Sequence, residues 1–388
     1  MQPNGFSGYE RVSGLPGVRN HLLVLNATGL TAPTARRVHS SLAGSVLAST
    51  PYGMGMIGDD LESTERALLG FALHPNNGAL LIISADRPRC DRLSEVAARS
   101  GRPFYAICLD EVDHDCLTLT DRAIRAGARL LHECSGHKRR EFPLSALRVG
   151  LECGLSDPTS GLAANPLLGA VSDHLVTNGA QVILGETLEW LGTERQLAAR
   201  AKDDATGKAI IDAVKGLEFS ALDAGIDLLG INPNAANIRG GLSTIEEKAS
   251  GSAAKAGSSQ IQSLLKYGEA PQSPGLHLMN AASYTPESLS GFCSAGAQLN
   301  LFTTGLGNSY VSALAPTIKI SANDGTCRRL LEQIDFDASA LLLDSSQSLE
   351  AVTQDLVGYM CAVASGASTY GEILKEGDET ISRFGAAL

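Results

Sequence analysis

Short, wholly apolar runs recur along this chain, and stretches with helical spacing lie between them. "HLLVLN" (21–26) is followed by "TARRVHSSLAGSVLA" (34–48), and "ESTERALLGFALH" (62–74) precedes "GALLIIS" (78–84). "PFYAICL" (103–109) then leads into "TDRAIRAGARLLHEC" (120–134). A strand that is apolar at every position must be covered on both faces. Runs of this kind separated by helices therefore predict a parallel sheet with helices on either side.

The segment "SGHKRREFPLSA" (135–146) is charged and carries a proline, and we place a domain junction there. The pattern then restarts. "LRVGLE" (147–152) and "AQVILGE" (180–186) read as strands around a helix, "NPLLGAVSDHLVTNG" (165–179). A long helical stretch over 193–216 is interrupted near Gly207. Strands follow at 275–280, 298–304 and 317–322, with "SALLLD" (339–344) as a possible last one. With 388 residues the chain is too long for one ordinary core. The expected fold is α/β: two Rossmann-like domains, 1–140 and 141–388, with mostly parallel sheets flanked by helices. The second carries most of the candidate site.

Charge and composition exclude several classes. The net charge is −11 and there is no long basic stripe, which argues against a nucleic-acid partner. No apolar stretch approaches the roughly 20 residues that span a bilayer, so no membrane is expected. The first twenty residues lack a charged-then-apolar leader pattern, and a cytoplasmic protein is expected. Eight cysteines occur without a CxxC pair, so neither a zinc ribbon nor a thioredoxin-type motif is supported. Most of these thiols read as small buried hydrophobes.

Ligands of open α/β sheets sit beyond the carboxyl ends of strands. "GLECGLSDPTSGLAANP" (150–166) supplies Glu152 and Cys153 at such an end, then Ser156, Asp157, Ser160 and Asn165. Two readings stand. In one, Asp157 and Ser160 satisfy turn amides, and Asn165 caps a helix that Pro166 opens. In the other, the loop is a site. Glu152 favours a site, because a buried carboxylate needs a partner.

A second strand end carries Glu186, a general base, metal ligand or helix N-terminal acid. Glu189 and Glu194 read as solvated helix charges. Between 231 and 260 the chain is rich in Asn, Gly, Ser and Ala and lacks clear periodicity. It offers Asn232, Arg239, Lys248 and Lys255, which suit a polyhydroxy, anionic small molecule. A flexible surface linker is the competing reading. Arg239 could clamp a carboxylate, and a lysine could serve as a base. "FTTGLGNS" (302–309) puts Thr303, Thr304 and Gly305 where backbone amides could cradle an anion. The histidines show no HExxH pattern. His74 is the best placed of them, beside a strand and a loop.

Taken together, "FSGYERVSGLPGVRN", "GLECGLSDPTSGLAANPLLGAVSDHLV", "GINPNAANIRGGLSTIEEKASGSAAKAG", "ASYTPESLSGFCSAGAQLNLFTTGLGN" and "PTIKISAN" resemble the large catalytic region of the altronate and galactarate dehydratases. That family also contains the larger subunit of sulfolactate sulfo-lyase. The resemblance runs in order over nearly the whole chain. It implies β-elimination from a small anionic hydroxy acid to a 2-keto-3-deoxy product, with Fe2+ or another divalent metal. A small partner subunit and a homo-oligomer are expected alongside. The implied roles are base or metal ligand for Glu152 and Glu186, and metal ligand or packing residue for Cys153. Lys248 and Lys255 neutralise the substrate carboxylate or move protons. Ser156, Asp157, Ser160, Asn165, Asn232 and Arg239 bind substrate, and Thr303, Thr304 and Gly305 form the anion nest.

Three family cysteines are replaced. Leu30, Met56 and Asp86 or a neighbour stand in those places, and leucine and methionine cannot stand in for a thiolate at a hard or borderline metal. If those cysteines hold the metal in relatives, this chain binds it differently or not at all. Carbon–sulfur lyase activity, metal-free isomerisation or lactone hydrolysis, and a non-catalytic paralogue are the alternatives to dehydration.

Overall fold

The computed structural model describes residues 5–383, so the first four and last five residues of the two expected units lie outside it. The chain runs β1 (Gly5–Tyr9), β2 (His21–Asn26), α1 (Ala32–Ser41), β3 (Ser45–Ser49), α2 (Gly58–Leu73), β4 (Asn77–Ser84), α3 (Arg87–Ser100), β5 (Phe104–Cys108), α4 (Cys116–Cys134) and β6 (Arg139–Pro143). It continues through β7 (Arg148–Cys153), α5 (Asn165–Thr177), β8 (Gln181–Leu184), α6 (Glu194–Ala198), α7 (Asp204–Asp223), α8 (Ala235–Arg239), α9 (Ile245–Ala253), β9 (Ile261–Leu265), β10 (Gly275–Met279) and α10 (Thr285–Ser294). The rest is β11 (Leu299–Thr303), β12 (Val311–Ser312), β13 (Thr317–Ser321), α11 (Asp324–Arg329), β14 (Phe336–Asp337), α12 (Ala340–Leu343), α13 (Leu349–Ala364), α14 (Tyr370–Leu374) and β15 (Gly377–Asp378).

Two parallel sheets flanked by helices result, as the apolar runs predict. One has four strands in the order β3-β2-β4-β5, and the other seven in the order β14-β13-β11-β7-β8-β10-β9. β4 is buried at all eight positions, which is why it reads as an unbroken apolar run. In the larger sheet, β8 lies on one side of β7 and β11 on the other. The carboxyl end of β7 is therefore a switch point, where the flanking loops diverge and leave a crevice. Its last residue, Cys153, pairs with Thr303 of β11.

Buried polar contacts, as well as packing, tie residues around the four-stranded sheet to those around the seven-stranded one. Asn76 Nδ2 donates to the carbonyls of Gln298 and Leu314 at 2.9 and 2.8 Å. Arg19 donates to the carbonyls of Val363 and Ala367 and pairs with Glu372 at 2.7 Å. The antiparallel β1–β6 ribbon links the start of the first unit to the entry into the second.

Several local expectations change. The helix expected over 34–48 ends at Ser41, and Gly44, at φ 86°, turns the chain into β3. Gly207 does not interrupt a helix. It lies inside α7, where a Cβ would stand 3.1 Å from the carbonyl oxygen of Ala198, and the break falls between α6 and α7 instead. "SALLLD" is the short helix α12 rather than a strand, because β14 already takes the sheet edge; Leu342 and Leu343 stay exposed. The aperiodic stretch 231–260 contains α8 and α9, capped by Asn234 and Thr244. His74 is fully buried and structural: its Nε2 lies 2.9 Å from the carbonyl of Ala297. All eight cysteines are free, and only Cys116 is exposed. Among the described residues no helix is long and apolar enough to cross a membrane.

Candidate active site

Glu152 and Cys153 end β7, so the ladder fixes their positions and the pleat sends their side chains to opposite faces. Ser288, on α10, donates to Glu152 Oε2 at 2.6 Å, while Oε1 has no partner among the described residues. Burial, and then the charge of Glu186, push the Glu152 carboxyl well above its ordinary range, against the pull of Lys255.

Glu186 follows β8 in a left-handed conformation, φ 69° and ψ 55°, uncommon for a residue with a Cβ. Two bonds hold it there. The Cys153 amide donates to Oε2 at 3.1 Å, and Lys255 Nζ makes a short ion pair with the same oxygen. The next turn is a 3-10 helix, in which residues three apart eclipse, and this brings Glu189 to the same side as Glu186. Glu189 is buried, not solvated as its sequence context suggests. Its Oε2 accepts from the Cys153 thiol at 3.1 Å, and its Oε1 pairs with Lys248 at 2.7 Å. Glu194 does sit beside the chain surface, accepting from the Gly192 amide at 2.7 Å.

The two lysines come from the aperiodic stretch. Lys248, on α9, also donates to Asn232 Oδ1 at 2.6 Å, and Asn232 Nδ2 donates to the Leu188 carbonyl at 3.2 Å. Lys255 sits in the tight turn after α9, fully buried, with Nζ 2.8 Å from Cys153 Sγ.

Electrostatics divide the cluster. Burial alone would raise Glu189, but Lys248 and Lys255 outweigh it and hold the carboxyl at about 2. Glu186 is pushed up to about 7, by burial first and then by Glu189. Burial, Glu186 and Glu189 push the Cys153 thiol well up, so it stays protonated. Burial would lower both lysines; the surrounding acids outweigh it and raise them.

A small cavity of about 20 Å³, room for about one water, opens on this cluster. Cys153, Ser156, Glu189, Lys248 and Ser252 reach it, while Glu152, Glu186 and Lys255 stand outside its lining. The Ser156 hydroxyl is buried without a partner.

Other expected residues have local work. Asp157 Oδ1 accepts from Thr159 Oγ1, the Ser160 amide and Ser160 Oγ, and its Oδ2 from Asn323 Nδ2 at 2.7 Å. Asp157 and Ser160 thus build the capped turn that the sequence also allowed. Asn165 does not cap the start of α5. It bridges β11 and α9 instead, accepting from Thr303 Oγ1 at 2.6 Å and donating to the Gly251 carbonyl at 2.9 Å. The anion nest does not form, because its amides are already used. The Thr304 amide donates to Ile320, and those of Gly305 and Leu306 to Leu155; a Cβ on Gly305 would lie 2.3 Å from Asp157 Cγ. Arg239 is exposed in the last turn of α8 and does not line the cavity.

Cys153, Glu186 and Glu189 offer donor atoms within 4.8 Å of one another, and they are the one such group among the described residues. A thiol and two carboxylates are chemically suited to a borderline divalent metal. Their contacts do not fit one: Lys255 engages the sulfur and Glu186, and Lys248 engages Glu189. At the replaced cysteine positions, Leu30 is exposed, Met56 is buried against Thr64, and Asp86 caps α3.

Two family models match the chain. One, described as D-galactarate/altronate dehydratase, C-terminal, covers residues 144–387. The other, D-galactarate dehydratase/altronate hydrolase, second domain, covers residues 8–135. The altronate dehydratase of Escherichia coli is 32% identical, over 94% of this chain and 74% of its own. That of Bacillus subtilis is 33% identical, over 93% and 74%. The (2R)-sulfolactate sulfo-lyase subunit beta of Chromohalobacter salexigens is 32% identical, over 97% of both chains. With its two parallel sheets and its acid–thiol–lysine cluster at a switch point, the chain belongs to the D-galactarate/altronate dehydratase family and is, with it, a lyase.

Proposed function

We propose that the protein removes water from a small anionic sugar acid and forms a 2-keto-3-deoxy acid. The observation that carries this reading is the buried contact network of Cys153, Glu186, Glu189, Lys248 and Lys255 around a cavity. β-Elimination needs a base for the proton beside the carboxylate, a cation for the charge that builds there, and an acid for the leaving group.

Lys248 takes the substrate carboxylate. In turning to it, the ammonium leaves Glu189, whose carboxylate loses the larger of the two charges that hold it near 2 and becomes more basic. Glu189 then removes the C2 proton. The C3–O bond breaks, and the departing oxygen takes the proton of the Cys153 thiol. Lys255, 2.8 Å behind the sulfur, holds the thiolate with its charge; Glu189, 3.1 Å from the sulfur, passes the C2 proton on to it, and the enol tautomerises to the keto acid. Ser156 and Ser252 meet the substrate hydroxyls. Glu186 positions Lys255.

A cavity of about 20 Å³ does not hold a sugar acid. The stretch carrying α8 and α9 therefore moves outward on binding. The polar contacts that hold it closed include Asn237 to the Ser156 carbonyl, Asn232 to the Leu188 carbonyl, Asn165 to the Gly251 carbonyl, and Lys248 to Glu189.

A second reading is carbon–sulfur cleavage of a sulfonated hydroxy acid, with sulfite in place of hydroxide. The match along 97% of a sulfo-lyase subunit beta favours it, and that name supports a small partner subunit here. Incubation with altronate, galactarate and sulfolactate distinguishes the two. Keto acid from a sugar acid without sulfite is the expected result, and sulfite release selects the second reading. Neither product from any of the acids, with or without a small partner subunit, sinks both.

A further inference from the structure

We infer that the ammonium group of Lys255 is the resident cation of the Cys153–Glu186–Glu189 cluster, and that a divalent metal enters this donor set only if Lys255 leaves. The inference deepens the lyase reading, since it takes this cluster as the catalytic one and names the cation that organises it.

The contacts account for the donors one by one. The Cys153 sulfur lies 2.8 Å from Lys255 Nζ, and Glu186 Oε2 is bound to the same ammonium. Glu189 Oε1 is paired with Lys248, and its Oε2 accepts from the thiol. A metal would have to bind the lone pairs these protons occupy, with two ammonium charges a few ångströms away, and like charges at that range in a buried site repel strongly.

Lys255 is also fixed from behind. Its turn packs on Gly169 of α5, so closely that a Cβ there would stand 2.2 Å from the Ala254 carbonyl oxygen. Arg200 Nη2 donates to the Ala256 carbonyl at 3.0 Å. The Ser258 and Ser259 amides both donate to Asp173. Its backbone is tied on both sides, and the side chain is fully buried in the cluster. The donors are metal-like in kind, and the cation among them is the protein's own.

Cobalt(II) titration of the full-length chain tests this by spectroscopy rather than by turnover, so its failure leaves the lyase reading standing. Bound to a thiolate, cobalt gives an intense near-ultraviolet charge-transfer band. The wild type is expected to show no such band. Lys255→Met is expected to gain it and to bind roughly tenfold tighter or better. The gain should vanish in the double variant Lys255→Met/Cys153→Ser, which excludes the exposed Cys116 as its source. A wild-type band that Cys153→Ser abolishes overturns the inference, and so does a folded Lys255→Met protein that gains none. Should Lys255→Met fail to fold, the wild-type measurement decides alone.

Discussion

Gly169 on α5 touches the turn that carries Lys255: a Cβ at Gly169 would lie 2.2 Å from the carbonyl oxygen of Ala254 and 3.0 Å from the Gly257 amide nitrogen. The neighbour is backbone, so it cannot swing aside. Gly169→Ala should destabilise the protein by about 1–3 kcal/mol, the usual cost of overpacking. Activity should fall further than stability explains, because Lys255 is pushed off Cys153. Gly358→Ala is the control. A Cβ at that site in α13 meets nothing within 4 Å, and the change should be neutral or stabilising by up to about 1 kcal/mol. Calorimetry and turnover at a temperature where both variants are folded separate the two effects.

Glu189 and Lys248 are 5% and 8% exposed, and each is the other's main charge partner. Removing one leaves the other buried and unpaired, which costs on the order of 3–5 kcal/mol. Urea denaturation of Glu189→Ala should show a loss of that size. Glu194→Ala, which removes one contact to the Gly192 amide, should cost far less. Equal losses would show that Glu189 is solvated after all.

Glu186 is raised to about 7, so its carboxylate forms only as the pH approaches neutrality. Below that, Lys255 loses the charge of its ion-pair partner, and the bond from the Cys153 amide to Glu186 weakens. The rate should therefore fall on the acid side, with a limb near pH 7. In Glu186→Gln, which keeps a hydrogen-bond acceptor but does not titrate, a lower and flatter profile is expected. A limb unchanged in Glu186→Gln would assign the titration to another group.

Glu379, buried just after β15, is also raised to about 7, chiefly by burial. Its Oε1 accepts from Ser312 Oγ at 2.5 Å and from the amides of Ala313 and Leu314. The folded pKa lies above the ordinary 4.5, so the folded state binds the extra proton. Its contribution is full below about pH 4.5 and is lost as the pH rises through about 7. The loss is on the order of 3 kcal/mol. Melting curves between pH 5 and 8 should fall in the wild type and fall less in Glu379→Gln.

Legibility differed between fold and site. The β4 run "NGALLIIS" is buried along its whole length, and its sequence already says so. "IQSLL", the edge strand β9, is only half covered and carries no such signal. Ser45–Ser49 was hidden because its apolar residues continue the spacing of the preceding helix, and only Gly44 marks the break. In the site, Glu152, Cys153 and Glu186 were legible because they end apolar runs. Glu189 was missed, although its three-residue spacing from Glu186 is the signal that a 3-10 turn would have made visible.

What the sequence by itself determined was the alternation of fully buried strands with helices, the strand ends that carry acids, and the family. These are written in local periodicity and in ordered matching segments. Only the tertiary structure decided that Asp157 serves a turn, that Arg239 faces outward, and that two lysines from an aperiodic stretch enter the cluster. Cys153 meets Glu189 and Lys255 across 36 and 102 positions of chain. A charge is a solvated surface group or half of a buried pair according to what stands within a few ångströms of it, and periodicity along the chain does not encode that.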